Sequence, residues 1–127
     1  MKKMLLLIIA VSLMTSCHFN TRVAGKLRGI EGYLAERPDS ALTELEEIRE
    51  KELSRSRSKA KYALLYSMAL DKNYIDTADD SLINIAVGYY KDKGPPKDRM
   101  LAYYYLGRVY QNGGNYTQAI VAFTNAL

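Results

Sequence analysis

The chain has 127 residues, 18 of them lysine or arginine and 14 acidic, for a formal charge of +4; it contains one cysteine, one histidine and eleven tyrosines. One cysteine cannot build a disulfide framework, and one histidine cannot build a multi-histidine metal site. Removing Lys2 and Lys3 from the 18 basic residues leaves 16 against 14 acidic ones, too even a balance for the basic stripe that nucleic-acid binding requires.

The first segment in chain order is short and apolar. Lys2 and Lys3 supply a positive start, residues 5–13 an apolar run, and Thr15 and Ser16 two small residues directly before Cys17. The apolar run is about half of the roughly 20 residues needed to cross a hydrocarbon core, so it does not predict a transmembrane span. The pattern resembles the lipobox of bacterial lipoprotein signal peptides, with Met14 where that family usually has Leu. The resemblance implies a signal peptide at residues 1–16, lipid attachment at Cys17, a lipidated tether at 17–21 and a folded domain at 22–127. At about 0.8 kcal/mol per buried methylene, the several acyl chains of such an anchor hold a protein durably on a membrane. His18 then belongs to the tether.

From Thr21 the apolar residues take helical spacing. Val23, Leu27, Ile30 and Leu34 define the buried face of a first helix over residues 21–36, which Gly25, Gly29 and Gly32 weaken by up to about 1 kcal/mol each. Pro38 ends it and suits the first turn of a second helix, whose buried face is Ala41, Leu45 and Ile48. Arg55, Arg57, Lys59 and Lys61 alternate with Ser54, Ser56 and Ser58, a run read as a solvated connector or helix start. A third helix over residues 57–70 carries Tyr62, Leu65 and Ala69 on one face and Leu64 and Met68 beside it, so it must lie between neighbours. Thr77, with Asp80 three residues on, predicts the start of a fourth helix over residues 78–91, packed through Leu82, Ala86 and Tyr90. Gly94, Pro95 and Pro96 separate it from a fifth over residues 97–112, which Gly113 and Gly114 end by tolerating positive φ. Asn115 caps a sixth helix with Gln118 at the reciprocal position. No segment alternates with period two, and the predicted fold is all-α.

Helices five and six, set end to end, read Tyr103-x2-Leu106-Gly107-x2-Tyr110 and then Gly114-x-Tyr116-x2-Ala119-x3-Phe123-x2-Ala126. This resembles the tetratricopeptide repeat, with Tyr103 where the family most often has Trp. Gly107 and Ala119 are small where two antiparallel helices approach most closely, and Tyr103, Leu106, Tyr110 and Phe123 fill the space around them. Weaker copies precede it. Tyr62-x2-Leu65 with Ala86-x3-Tyr90 repeats the pattern with Tyr66 at the small position and an eight-residue insert at 71–78, and Pro38-Asp39-Ser40-Ala41 opens the second helix of a first pair. The resemblance is to tetratricopeptide lipoproteins of the kind common in Bacteroides-type bacteria. It implies antiparallel helix pairs stacked as an α-solenoid of about six helices after the signal peptide, with the last repeat incomplete and its apolar outer face uncovered.

No catalytic constellation, metal site or cofactor motif emerges. Asp71, Asn73, Asp76, Asp79 and Asp80 lack the glycine and terminal glutamate of a calcium loop and read as caps and solvated loop residues. Most tyrosines fall at packing positions with the hydroxyl at the rim. In the family the first helix of each pair lines the concave groove, which the resemblance maps onto Leu101, Tyr104, Arg108 and Gln111, with Ala63, Ser67 and Leu70 from the preceding pair. Tyr104 and Arg108, one turn apart, are the leading contacts for a protein or peptide partner. The expected function is a non-catalytic, membrane-anchored binding scaffold, most consistent with the periplasmic face of an outer membrane. The alternatives are the sensory ectodomain of a longer signalling protein and a glycan-capturing lipoprotein of a sugar-uptake system.

Overall fold

In the computed structural model the backbone is described for all 127 residues and the side chains for residues 1–11 and 21–127. Cys17, with Met14, Thr15, Ser16 and His18, lies outside the described side chains. The helices are α1 (Lys2–Tyr33), α2 (Pro38–Glu46), α3 (Ser56–Lys72), α4 (Ser81–Tyr90), α5 (Pro96–Asn112) and α6 (Tyr116–Ala126), with one 3-10 turn at Glu50–Glu52. Among the described residues there is no strand, and the chain is all-α. None of the described helices is long and apolar enough to cross a membrane.

The helix expected at residues 21–36 is the second half of α1 and stops at Tyr33. The N–H groups of Glu36 and Arg37 both return to the Tyr33 carbonyl, and Pro38 holds Arg37 at φ −133°, ψ 67°, outside the helical region. The Arg37 guanidinium lies over the Tyr33 ring at 4.6 Å, which closes the turn into α2. At the other end of α1, Met4, Leu5, Leu6 and Leu7 keep between 62 and 71% of their surface exposed.

The start of α4 departs from the sequence expectation. Thr77 Oγ1 accepts from the Asp79 N–H, and Asp79 Oδ1 accepts from the Ser81 N–H at 2.9 Å. Each side chain is spent two residues ahead, which makes consecutive turns instead of a helix start, so α4 begins at Ser81 with Asp80 as its N-cap. The bond from the Ser81 N–H, with a smaller contribution from the Ser81 side chain, also holds the Asp79 carboxyl below its ordinary value. By contrast Asn115 Oδ1 accepts from the Gln118 N–H at 3.3 Å, as a capping asparagine should.

Two apolar cores meet at α3. One gathers Val23, Leu27 and Ile30 of α1 and the Leu34 that follows it with Ala41 and Leu45 of α2, the following Ile48 and Leu53, and Leu65 and Ala69 of α3. The other joins Ala60, Ala63 and Leu64 of α3 to Ile83, Ala86 and Tyr90 of α4, Ala102, Tyr105, Leu106 and Val109 of α5, and Ala122 of α6. Met68 packs against both. This is the two-sided burial that the apolar girth of α3 demands. Ile83, which the spacing argument left out, is fully buried, whereas Leu82 is half-buried.

The pairings follow from which ends touch. Ser56 and Lys59 at the start of α3 lie beside Tyr89 and Lys93 at the end of α4, so the two run antiparallel. Pro96 and Met100 of α5 lie beside Asn125 and Ala126 of α6, and these two are antiparallel as well. α3 also touches α1, α2 and α5, and α5 touches α4; the second helices α2, α4 and α6 do not touch one another among the described residues.

Candidate partner-binding surface

The α5–α6 pair carries the signature residues. Gly107 is buried, and a methyl group built on it would fall within the Phe123 ring, so the glycine is the seat on which that ring rests. Ala119 is 3% exposed in the same interface. Leu106 is buried, while Tyr103, Tyr110, Phe123 and Ala126 are half-buried at its rim. Tyr116 and Gly114 differ from the other signature positions. Tyr116 is 65% exposed at the first position of α6, and Gly114 acts through its backbone at φ 73°. Gly113, expected to share that role, has an ordinary φ of −81°.

The proposed groove residues sit on α3 and α5, which touch each other. Leu101 is half-buried against the second core. Tyr104 keeps 43% of its surface exposed. Its ring stands edge-on to Tyr105 at 5.1 Å and tilted against Phe123 at 5.6 Å, so an exposed aromatic is held by two neighbours. One turn on, Arg108 donates through Nε to Asp71 Oδ1 at 2.9 Å and through Nη1 to Gln111 Oε1 at 2.8 Å. The Asp71 bond comes first among the causes that raise the guanidinium above its ordinary value. Gln111 is exposed.

Ala63 and Ser67 lie deeper than a groove lining would. Ala63 is fully buried, and Ser67 is 7% exposed beside Asp71, Tyr105 and Arg108, where the remaining space is only about 10 Å³. That is room for about one water-sized sphere, and of the expected groove residues Tyr104 and Gln111 are exposed and Arg108 is half-buried. Burial, followed by the charge of Asp71, pushes the Tyr105 phenol up to about 12.

Two further polar links were not legible in the sequence. Lys61 Nζ donates to Glu31 Oε1 and to Asp98 Oδ2, both at 2.9 Å, and so ties α1, α3 and α5 together. Asp98 is 4% exposed, and the ammonium is what makes its burial tolerable. Asn73 Nδ2 donates to the Pro38 carbonyl at 2.8 Å, which pins the insert after α3 against the start of α2. Each link spans 30 or more residues, and no spacing rule reaches that far. Asp71 was read as a loop carboxylate for the same reason, since its partner is 37 residues away.

Among the described residues no group of three or more His, Cys, Asp or Glu side chains is placed to hold a metal ion. Comparison of the chain with protein-family models, with curated proteins and with solved structures gives no match.

Proposed function

We propose that this chain is a membrane-anchored scaffold of tetratricopeptide-like helix pairs that binds a protein or peptide partner through Tyr104, Arg108 and Gln111 and performs no reaction of its own. The arrangement as a solenoid draws support from the order of contacts, in which first helices meet first helices and each second helix meets the first helix that follows. The observation that carries the binding reading is Tyr104, a large ring 43% exposed yet braced by Tyr105 and Phe123, beside an arginine already oriented by Asp71 and Gln111. Side chains ordered before binding lose little entropy on contact, which is how tyrosine and arginine come to dominate interfaces.

The aromatic pairs in the described residues are tilted or edge-on, which favours a partner with relief over the flat face of a sugar ring. The anchor rests on the pattern ending at Cys17 and is consistent with the exposed apolar residues Met4 to Leu7. The periplasmic face of an outer membrane is the location this reading assigns.

Cross-linking and pull-down from the native membrane, with the full-length protein and its Tyr104→Ala and Arg108→Ala variants, tests the surface. Each substitution should lower recovery of a specific partner by about tenfold or more, as loss of an interface anchor does. Recovery unchanged in both variants removes the assignment. The anchor has its own test: Cys17→Ser should remain unprocessed or leave the membrane fraction, and a variant that matures and fractionates like the parent refutes lipidation.

A further inference from the structure

Charge is divided between the two ends of the helix stack. Residues 21–31, 55–61 and 91–99 hold eleven lysines and arginines against three carboxylates, although the chain after Cys17 as a whole holds 16 against 14. Folding brings these three segments to one end. Thr21 and Arg28 of α1 line an open cleft with Arg55 and Arg57 at the start of α3. Lys59 lies beside Lys93, which follows α4, and Lys61 reaches Asp98 in the first turn of α5 at 2.9 Å. The opposite end is acidic. There Asp71 meets Arg108, Asn73 meets the Pro38 carbonyl at the start of α2, and Asp80 meets Tyr110. Residues 36–39 and 71–80, which make up that end, hold six carboxylates against Arg37 and Lys72. The carboxylates of α2 lie between the two ends, with Glu46 beside Tyr66 of α3, and residues 49–52 carry two charges of each sign.

The cationic end is not balanced from within. Nine of its eleven cations are exposed, and of the eleven only Lys61 forms an ion pair with a described residue. The screening length of about 8 Å at physiological ionic strength does not insulate neighbours that line one cleft, so their repulsion opposes folding unless an anionic surface offsets it.

The path of α1 says where such a surface lies. Thr21 stands beside the start of α3 and Glu31 beside Lys61 one turn further on, so α1 and α3 run in the same direction. Since α1 is one helix from Lys2 to Tyr33, its earlier residues leave past the cationic end and not past the acidic one. At about 1.5 Å per residue Met4 stands about 25 Å beyond Thr21. Met4 to Ile9, all apolar, each keep half or more of their surface exposed.

We infer that the cationic end, formed by the starts of α3 and α5 with Arg22 and Arg28 of α1, lies against the anionic phospholipid headgroups of the membrane that holds the chain. This rests on the reading of the segment up to Cys17 as membrane-bound, and it adds to that reading an orientation and a lipid preference. The helices then stand upright on the bilayer with the acidic end outermost. Arg108 lies about 16 Å further along α5 than Lys97, at about 1.5 Å per residue, so the proposed partner surface is held clear of the headgroups.

The test is flotation of the full-length chain with vesicles of phosphatidylcholine and with vesicles of an equal mixture of phosphatidylcholine and phosphatidylglycerol. The apolar segment serves both kinds of vesicle alike, so the ratio of the two affinities reports the cationic end. That ratio should be about tenfold or more at low salt and should approach one at high salt. Lys59→Gln with Lys97→Gln should lower it by about tenfold or more, at about fivefold for each cation at an anionic surface. Arg37→Gln with Lys72→Gln removes the same charge from exposed positions at the acidic end and should leave the ratio unchanged. Equal binding to both kinds of vesicle overturns the orientation and leaves the anchor standing, and binding to neither overturns both. A ratio that survives high salt, or that falls equally in the two double variants, also overturns the inference.

Discussion

At the ends of α3 and α5 the same backbone device is built with different residues. Gly114 and Asn115 send their N–H groups to the carbonyls of Gln111 and Tyr110, and Tyr74 and Ile75 send theirs to Asp71 and Leu70. Both are the paired bonds that close a helix through one left-handed residue. Gly114 takes φ 73° without strain, whereas Tyr74 takes φ 58° with a Cβ that crowds its own carbonyl, at a cost of about 1–2 kcal/mol. Tyr74 is 92% exposed, so its ring returns little of that cost. Two opposite outcomes follow in urea denaturation. Gly114→Ala should lose about 1–2 kcal/mol, and Tyr74→Gly should gain up to about 1 kcal/mol after the entropy of glycine is counted. Equal loss in both would show that the left-handed turn is not what limits these positions. The glycine at the end of α5 was visible in the sequence, but the matching turn after α3 was not, because nothing about a tyrosine signals positive φ.

At the scale of elements, the α5–α6 contact depends on a small residue facing a ring. Alanine is favoured over glycine inside a helix by about 1 kcal/mol, yet a methyl on Gly107 meets the Phe123 ring, and overpacking costs about 1–3 kcal/mol. Gly107→Ala should therefore destabilise the protein by up to about 2 kcal/mol. In a Phe123→Leu background the clash is relieved and the same substitution should become stabilising. A double-mutant cycle by chemical denaturation measures this change of sign, and additive effects would mean that Gly107 and Phe123 are not coupled. This contact was legible because both residues belong to one local pattern spanning 17 positions. The start of α4 was not, since Thr77 and Asp79 each accept an N–H two residues ahead, and the same residue types serve as helix caps and as turn formers.

For the molecule as a whole, titration of buried phenols sets the alkaline limit of stability. Burial, and then the neighbouring Glu44 carboxylate, push the Tyr33 phenol from its ordinary value of 10.0 up to about 12, and its hydroxyl has no hydrogen bond in acceptable geometry. Tyr105 is pushed up to about 12 as well, first by burial, and Tyr90 is raised by the same cause. A phenol whose value is higher in the folded chain holds its proton there after the unfolded chain has lost it. These groups therefore contribute fully below pH 10, and stability falls as pH rises from about 10 to about 12. Denaturation midpoints measured across that window should drop, with Tyr33→Phe and Tyr105→Phe each flattening the decline. A midpoint independent of pH over this range would contradict the burial of these rings. Lys61 acts on the same scale, because it joins three helices at once, and no segment of sequence announces such a junction.

Local repetition determined what could be read from the chain alone: helices with one apolar stripe, prolines and glycines where they stop, a girdled α3 between two cores, and the small residues at the α5–α6 crossing. Those properties follow from spacings of three, four and seven residues, which the backbone geometry of a helix converts directly into a face. Tertiary structure decided the rest. Which carboxylate meets Lys61 or Arg108, how deep Ser67 lies, and that Arg28 shares a cavity with Arg55 and Arg57 all depend on distances closed by folding between residues about 30 or more positions apart. Electrostatic and packing energies act through space, so the charges of this chain acquired their roles only when the helices came together.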